Sequence, residues 1–145
     1  MPGRVEELSA SRTYDLLCIG SGPAGQRAAI QASKLGKRVA IVEKRPMPGG
    51  VSVGTGTIPS KTFREAAIKL SGAGTDGSGG RRSGARPTAD QLLSRVDRVV
   101  QREGAVVEDQ IWRNGVEMIK GEGHFQDPHT VVVRSDSGWH TATAD

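Results

Sequence analysis

The most constraining feature of the chain is Gly20-Ser21-Gly22-Pro23-Ala24-Gly25, set between a short apolar run and a stretch of small residues at helical spacing. The run over residues 14–19 predicts a buried strand ending at Gly20. Over residues 22–35, Ala24, Ala28, Ala29, Ala32 and Leu35 predict a helix. Pro23 sits in its first turn, where a missing N–H is no loss, and Gly36 closes it. Residues 38–42, Arg-Val-Ala-Ile-Val, predict a second strand that ends at Glu43. Strand, turn, helix and strand in this order make a β-α-β unit, the crossover that parallel strands require.

Each glycine of the turn has a steric reason. Gly20 permits the tight turn, Gly22 lets a pyrophosphate approach backbone with no Cβ in the way, and Gly25 lets helix and strand pack closely. The helix start then offers unpaired N–H groups and the positive end of its dipole to phosphate. Glu43 follows Gly20 by 23 residues, where an acid can accept hydrogen bonds from both hydroxyls of a ribose. Its charge would repel a 2′-phosphate, which argues against NADP at this position. The competing reading of Glu43 is a solvated carboxylate at a strand end. A GxGxxG arises by chance in a chain with 20 glycines in 145 residues; the flanking strands, helix and acid are what make this one specific. Together they imply an adenine dinucleotide and leave FAD and NAD both open.

Aromatic residues make up only 3% of the chain, so the core must come from Val, Ile, Leu and Ala, which suits a parallel sheet covered by helices. The net charge of +4 comes without any RNP-like, zinc or helix-turn-helix pattern, so no nucleic-acid partner is expected. Cys18, the single cysteine, excludes an internal disulfide and reads as a small buried hydrophobe. No window approaches the roughly 18 apolar residues of a membrane span, and the N-terminus lacks the apolar core of a signal peptide. The expectation is a soluble, cytoplasmic protein with no membrane partner and no metal site.

Residues 1–13 read as a polar leader and 14–145 as one partial domain. Residues 45–56, rich in Pro and Gly, are expected to be irregular. Thr57-Ile58-Pro59-Ser60 opens a helix that continues to residue 70, and the Gly/Ser/Arg-rich segment 71–87 reads as a flexible surface loop. Thr88-Ala89-Asp90-Gln91 matches a capping box. Leu92, Leu93, Val96, Val99, Val100, Val107 and Ile111 then mark a long amphipathic helix, with Gly104 as a weak point and an end near Asn114-Gly115. Further strands are expected over 116–119 and 130–133, joined by Gly121-Glu122-Gly123-His124-Phe125. A polar hairpin-like stretch closes the chain. His124 and His129 read as loop and turn residues.

A second motif, Gly49-Gly50-Val51-Ser52-Val53-Gly54-Thr55-Gly56-Thr57-Ile58-Pro59-Ser60-Lys61, resembles the active-site segment of the class I pyridine nucleotide-disulfide oxidoreductases. In disulfide-reducing members this segment runs GGxCxxxxCxPSK. Here the two cysteine positions are Ser52 and Thr57, while the glycine pair and the PSK end survive. The spelling Gly-Thr-Ile-Pro-Ser-Lys is most similar to the soluble transhydrogenase branch, whose members commonly keep the first cysteine where this chain has Ser52. The resemblance runs over residues 14–133 and includes the Asp127-Pro128-His129-Thr130-Val131 turn.

The resemblance implies a Rossmann-like α/β FAD-binding domain with a parallel sheet, incomplete relative to the family, and FAD as cofactor. It implies cofactor contacts from the glycine turn (Gly20, Gly22, Pro23, Ala24, Gly25), from Glu43 and Lys44, and from the second motif (Gly49, Gly50, Ser52, Thr57). Lys61 would lie near the flavin N5, and the backbone at Gly123 near the adenine. In the full-length family NAD(P)H is the substrate and the protein is a homodimer. Thiol–disulfide exchange needs a thiolate and a second sulfur, which Ser52 and Thr57 cannot supply. What remains is hydride exchange between flavin and nicotinamide nucleotides.

The family's ATGSxP-type segment, its NAD(P) fingerprint and its dimerisation domain have no counterpart in the 145 residues. The chain therefore reads as a fragment or a truncated relative, with an unpaired sheet edge, no catalytic residue of its own and little turnover in isolation. The alternatives are a non-catalytic flavin-binding remnant and a dihydrolipoamide dehydrogenase relative that lost its cysteines.

Overall fold

The computed structural model describes residues 9–70 and 88–145; the low-complexity segment 71–87, read above as a loop, lies outside them. In chain order the elements are β1 (Ser9–Tyr14), β2 (Leu16–Ile19), α1 (Pro23–Lys34), β3 (Val39–Glu43), α2 (Gly50–Gly54), α3 (Thr57–Leu70), α4 (Ala89–Arg113), β4 (Glu117–Lys120), β5 (Glu122–Asp127), β6 (Thr130–Ser135) and β7 (Gly138–Ala144). Every residue of β3 is buried. It pairs in parallel with β2 on one side and β4 on the other, giving a sheet of order β2-β3-β4. The anticipated β-α-β unit is present, with Leu16 opposite Val39 and Ile19 opposite Val42. Strand β2 forms one edge of this sheet.

Side chains alternate across a strand, so the parallel sheet buries two faces. On one face Leu16, Cys18, Val39, Ile41 and Met118 pack under the helices, against Ala29 of α1, Val53 of α2 and Val107 and Ile111 of α4. On the other face Leu17, Ala40, Val42 and Ile119 meet Tyr14, Val131, Val133 and Ala142. These last belong to a second sheet of order β1-β7-β6-β5, in which only β1 and β7 are parallel. The result is an α/β architecture of helices, parallel sheet and mixed sheet, with a core of branched aliphatics. Cys18 lies in it half-buried, and burial pushes its thiol up from the ordinary value.

The capping box forms as the sequence implies. The Thr88 hydroxyl accepts the Gln91 N–H, and the Gln91 side chain accepts the Thr88 N–H. Helix α4 then runs unbroken to Arg113. Gly104 is not a weak point. It is buried, and a Cβ there would lie 2.2 Å from the Met47 sulfur. The glycine is where the loop after β3 presses against the helix.

Three features differ from the sequence reading. The strand expected over 14–19 is two strands in two sheets, and the first reaches back to Ser9, inside the polar leader. The break falls at Asp15, whose carboxylate accepts the Arg38 backbone N–H at 2.6 Å and the Lys37 ammonium at 3.4 Å. Residues 45–56 contain a single helical turn, α2, launched from Gly49 at φ 119°. Residues 122–127 are not a connection but a strand, β5, which pairs antiparallel with β6. The hairpin-like end is present: β7 pairs antiparallel with β6 and lies between β6 and β1. His129 serves the turn, its backbone N–H donating to Asp127 and its ring Nδ1 lying 3.1 Å from the Ala144 carbonyl.

Ile41 is fully buried at the centre of the helix-covered face. Ile41→Ala is therefore expected to cost about 2–5 kcal/mol, and Ile41→Val about 0.5–1.5 kcal/mol, measured by urea denaturation at constant m-value.

Candidate functional site

Strands β2 and β3 are parallel, so both of their carboxyl ends open on one side of the sheet, where open α/β sheets bind ligands. The chain leaves β2 at Gly20, whose N–H donates to the Val42 carbonyl at 2.7 Å. It then turns through Ser21 and Gly22 into α1. Gly22 is the N-cap in extended conformation, and no side chain caps this helix. The N–H groups of its first turn are thus left to another acceptor. A Cβ at Gly25 would lie 2.2 Å from the Gly20 carbonyl oxygen, so only glycine allows α1 this close to the turn. A Cβ at Gly20 or Gly22 would meet nothing within 4 Å. One side of the turn is packed and the other is open. Pro23 and Ala24 lie exposed in the first helical turn.

The second glycine motif locks onto the first. Gly49 and Gly50 have φ of 119° and 62°, conformations that L side chains rarely adopt. A Cβ at Gly50 would lie 2.8 Å from the Gly22 Cα. The Gly49 N–H donates to the Ser21 hydroxyl at 3.0 Å, and the Ser52 hydroxyl donates back to the Gly49 carbonyl at 3.0 Å. Backbone thus packs on backbone, holding both glycine segments at the mouth of the β-α-β unit.

Glu43 ends β3 at the same place and is only 5% exposed. Its Oε2 accepts the Ser21 N–H at 2.8 Å and the Ser21 hydroxyl at 2.5 Å, and its Oε1 accepts the Arg45 N–H at 2.8 Å. Burial pushes the carboxyl up and is the largest single influence. The Ser21 hydroxyl, the Arg45 and Ser21 N–H groups and the Arg45 charge together outweigh it, and the group lies below its ordinary value of 4.5. A carboxylate has about four lone-pair sites. Protein donors fill three of these sites on Glu43, leaving one on Oε1.

Beside Glu43 a cleft of about 250 Å³ is lined by Ile19, Gly20, Val42, Lys44, Gly121, Glu122 and Gly123. A Cβ at Gly123 would lie 3.2 Å from both Val42 and Val131, so this floor tolerates no side chain without a shift. A wider cleft of about 820 Å³ shares Glu43, Lys44, Gly121 and Glu122 with it and adds Arg45, Lys120 and Arg134. Glu122 spans the junction, ion-paired with Arg134 at 2.8 Å and Lys44 at 3.4 Å. The Arg134 and Lys44 partners hold its carboxyl below the usual range. The pieces suit an adenine dinucleotide: an open glycine turn under a helix start, a buried ionised acid and a narrow floor without side chains.

A family model described as FAD dependent oxidoreductase matches residues 15–134. The chain belongs to the FAD-dependent oxidoreductase family. Among curated relatives it is 50% identical over 128 residues to the soluble pyridine nucleotide transhydrogenase of Mycobacterium bovis, covering 87% of this chain and 27% of the relative. It is 35% identical over 134 residues to the protein of that name from Chromohalobacter salexigens, covering 88% of this chain and 28% of the relative. The chain thus spans little more than a quarter of the length of these relatives. Among solved structures, the Cu(II) complex of an HOCl-induced flavoprotein disulfide reductase from Escherichia coli superposes with a TM-score of 0.77 at 23% identity. That alignment covers 92% of this chain and 27% of the other, and the likeness is one of fold.

Of the residues singled out in the sequence, Gly20, Gly22, Pro23, Ala24, Gly25, Glu43, Lys44, Gly49, Gly50 and Gly123 are brought to the turn and its adjoining cleft. Ser52 is engaged with Gly49. Thr57 and Lys61 stand exposed at the start of α3, and Lys61 has no ion pair among the described residues. Sequence reasoning missed Ser21, Arg45, Gly121 and Glu122. Only Ser21 carried a signal, as a small polar residue inside the glycine turn. Among the described residues no helix is long and apolar enough to cross a membrane, and no cluster of His, Cys, Asp and Glu could hold a metal ion.

The Gly25→Ala variant puts a methyl into the Gly20 carbonyl, which cannot move aside, and is expected to cost at least about 1–3 kcal/mol in thermal or urea unfolding. Glu43 is predicted to make stability pH-dependent. Its folded pKa is depressed, so its contribution is complete above the ordinary value and is lost as pH falls through the folded one. Comparing denaturation curves of the parent protein and Glu43→Gln between neutral and acid pH measures this. The variant lacks the Glu43 part of the acid loss.

Proposed function

We propose that this chain holds the ADP half of FAD between its two glycine segments and Glu43, within a soluble NAD(P)⁺ transhydrogenase that exchanges hydride between NADPH and NAD⁺. The observation that carries the binding reading is the convergence of the open Gly20–Gly22 turn, the uncapped start of α1 and the buried Glu43 carboxylate. Support for the transhydrogenase reading comes from the 50% identity to relatives bearing that name. The sequence of the second motif supports it too, because Ser52 and Thr57 stand where disulfide reductases carry their dithiol.

Each part of the site has a role. The N–H groups of α1 face the pyrophosphate, with Pro23 and Ala24 at the helix start leaving room for it. Glu43 orients the ribose through its remaining lone pair, and Lys44 and Gly123 border the adenine cleft. Gly49, Gly50 and Ser52 set the course of the chain toward α3, with Thr57 at its start. Bound FAD supplies the two-electron carrier that no side chain of the chain provides. Lys61 contributes a positive charge at the flavin end. The nicotinamide site and the dimer contacts that the resemblance implies would lie in the remaining length of the relatives, so the chain by itself is expected to bind flavin without turning over. A cytoplasmic setting fits this activity.

Absorption spectroscopy of the purified protein after incubation with FAD and desalting tests the reading. Retained flavin bands near one equivalent are expected, and a colourless protein contradicts it. In a protein extended by the remaining length of its relatives, NADPH-dependent reduction of an NAD⁺ analogue is expected, with no lipoamide-dependent activity. Lipoamide turnover would overturn the transhydrogenase assignment.

A further inference from the structure

The hydroxyl of Ser21 occupies an unusual position. Ser21 is fully buried, at 0% exposure, and its oxygen lies 2.5 Å from Glu43 Oε2 and 3.0 Å from the Gly49 nitrogen. The direction of these bonds is forced. The Gly49 N–H can only donate, so the hydroxyl accepts there and must spend its own proton on the carboxylate. Gly49 N–H, Ser21 hydroxyl and Glu43 carboxylate therefore form a one-way chain, and such chains strengthen each member. The same carboxylate oxygen also receives the Ser21 backbone N–H. Oε2 is saturated from the protein side, whereas Oε1 takes only the Arg45 N–H.

We propose that Ser21 is a positioning residue for FAD: its hydroxyl fixes the Glu43 carboxylate with Oε1 turned to the ribose, and ties that acid to the Gly49–Gly50 segment that leads toward the flavin. The inference rests on the reading of this site as an FAD site. Ser21 touches no ligand itself. It acts by leaving Glu43 one acceptor position in one direction, and by fixing Gly49, which is buried and has a donor that would otherwise go unpaired. An alanine keeps the turn and the backbone N–H but removes both side-chain links.

The effect is measurable apart from turnover. Ser21→Ala is expected to raise the FAD dissociation constant about tenfold, the scale of a hydrogen bond to a charged group. Glu43→Gln is expected to weaken binding as well. In the double variant the alanine should add no more than about twofold, because the group it positions has lost its charge; this non-additivity is the signature of coupling.

The pH profile of FAD affinity gives a second reading. Removing the hydroxyl takes a donor from a carboxylate that stays buried, so the acid-side loss of affinity should begin at higher pH in Ser21→Ala than in the parent. Lys44 and Arg45 on the loop after β3, Lys120 on β4, Glu122 on β5, Arg134 on β6 and Asp136 in the turn after β6 border the same clefts. Glu122 and Asp136 are further carboxylates, and Glu43→Gln, which keeps all six groups, isolates the Glu43 part.

Flavin fluorescence titration of the whole chain from neutral to acid pH supplies both readings. Should Ser21→Ala not fold, Ser21→Cys keeps the volume with a weaker donor, and the same upward shift of the acid limb is expected. No FAD binding by the parent protein overturns the site reading and the inference together. Parent binding that is unchanged by Ser21→Ala and Ser21→Cys, or alanine losses fully additive with Glu43→Gln, overturns the inference alone.

Discussion

A carboxylate buried at the end of a strand must be paired, and in this chain the pairing of Glu43 organises the whole functional edge. Its partners come from three separate places: the turn after β2, the loop after β3 and, through Ser21, the start of the second glycine motif. Stripping water from an unpaired carboxylate would cost several kcal/mol, roughly, even after the surroundings relax. The donors offset that cost only if the turn and the loop are correctly placed. The acid thus acts as a check on local geometry.

Placement of that acid depends in turn on β3. The strand is buried on both faces because helices cover one side and the mixed sheet the other. Ile41 and Val39 anchor it to the helices, Ala40 and Val42 to the second sheet. Parallel pairing with β2 delivers Gly20 to the same level through the contact with Val42. Close packing at Gly25 then holds α1 against the turn. The fold carries one polar edge on an otherwise aliphatic sandwich, which is why a chain so poor in aromatic residues still builds a defined site.

The β-α-β unit was legible in the sequence because each of its parts carries a local signal: an apolar run, glycines at fixed steps, alanines at helical spacing and a second apolar run. The capping box at Thr88 was legible for the same reason. What escaped were features that depend on partners far away in the chain. Ser9–Tyr14 and Glu122–Asp127 are polar strands, with no alternation strong enough to be read, and they are strands because β7 and β6 pair with them. The split at Asp15 comes from a bond to Arg38, 23 residues away. Gly104 read as a defect in a helix because Met47, its packing partner, lies in an irregular segment. The glycines of the first turn and Glu43 could be read as candidate site residues from their spacing, whereas Gly49, Gly50 and Gly123 were legible only through the family resemblance. Ser21 carried only the weak signal of a small polar residue in the turn, because its contacts with Glu43 and Gly49 exist only once those residues are folded beside it.

On the proposed reading, the glycine turn and Glu43 grip the ADP half of FAD rather than its flavin half. Competition calorimetry, with FAD titrated into the protein in the presence of ADP or of FMN, tests this most directly. ADP is predicted to compete with FAD and FMN to leave the binding isotherm unchanged. Displacement of FAD by FMN with no effect of ADP would contradict the account.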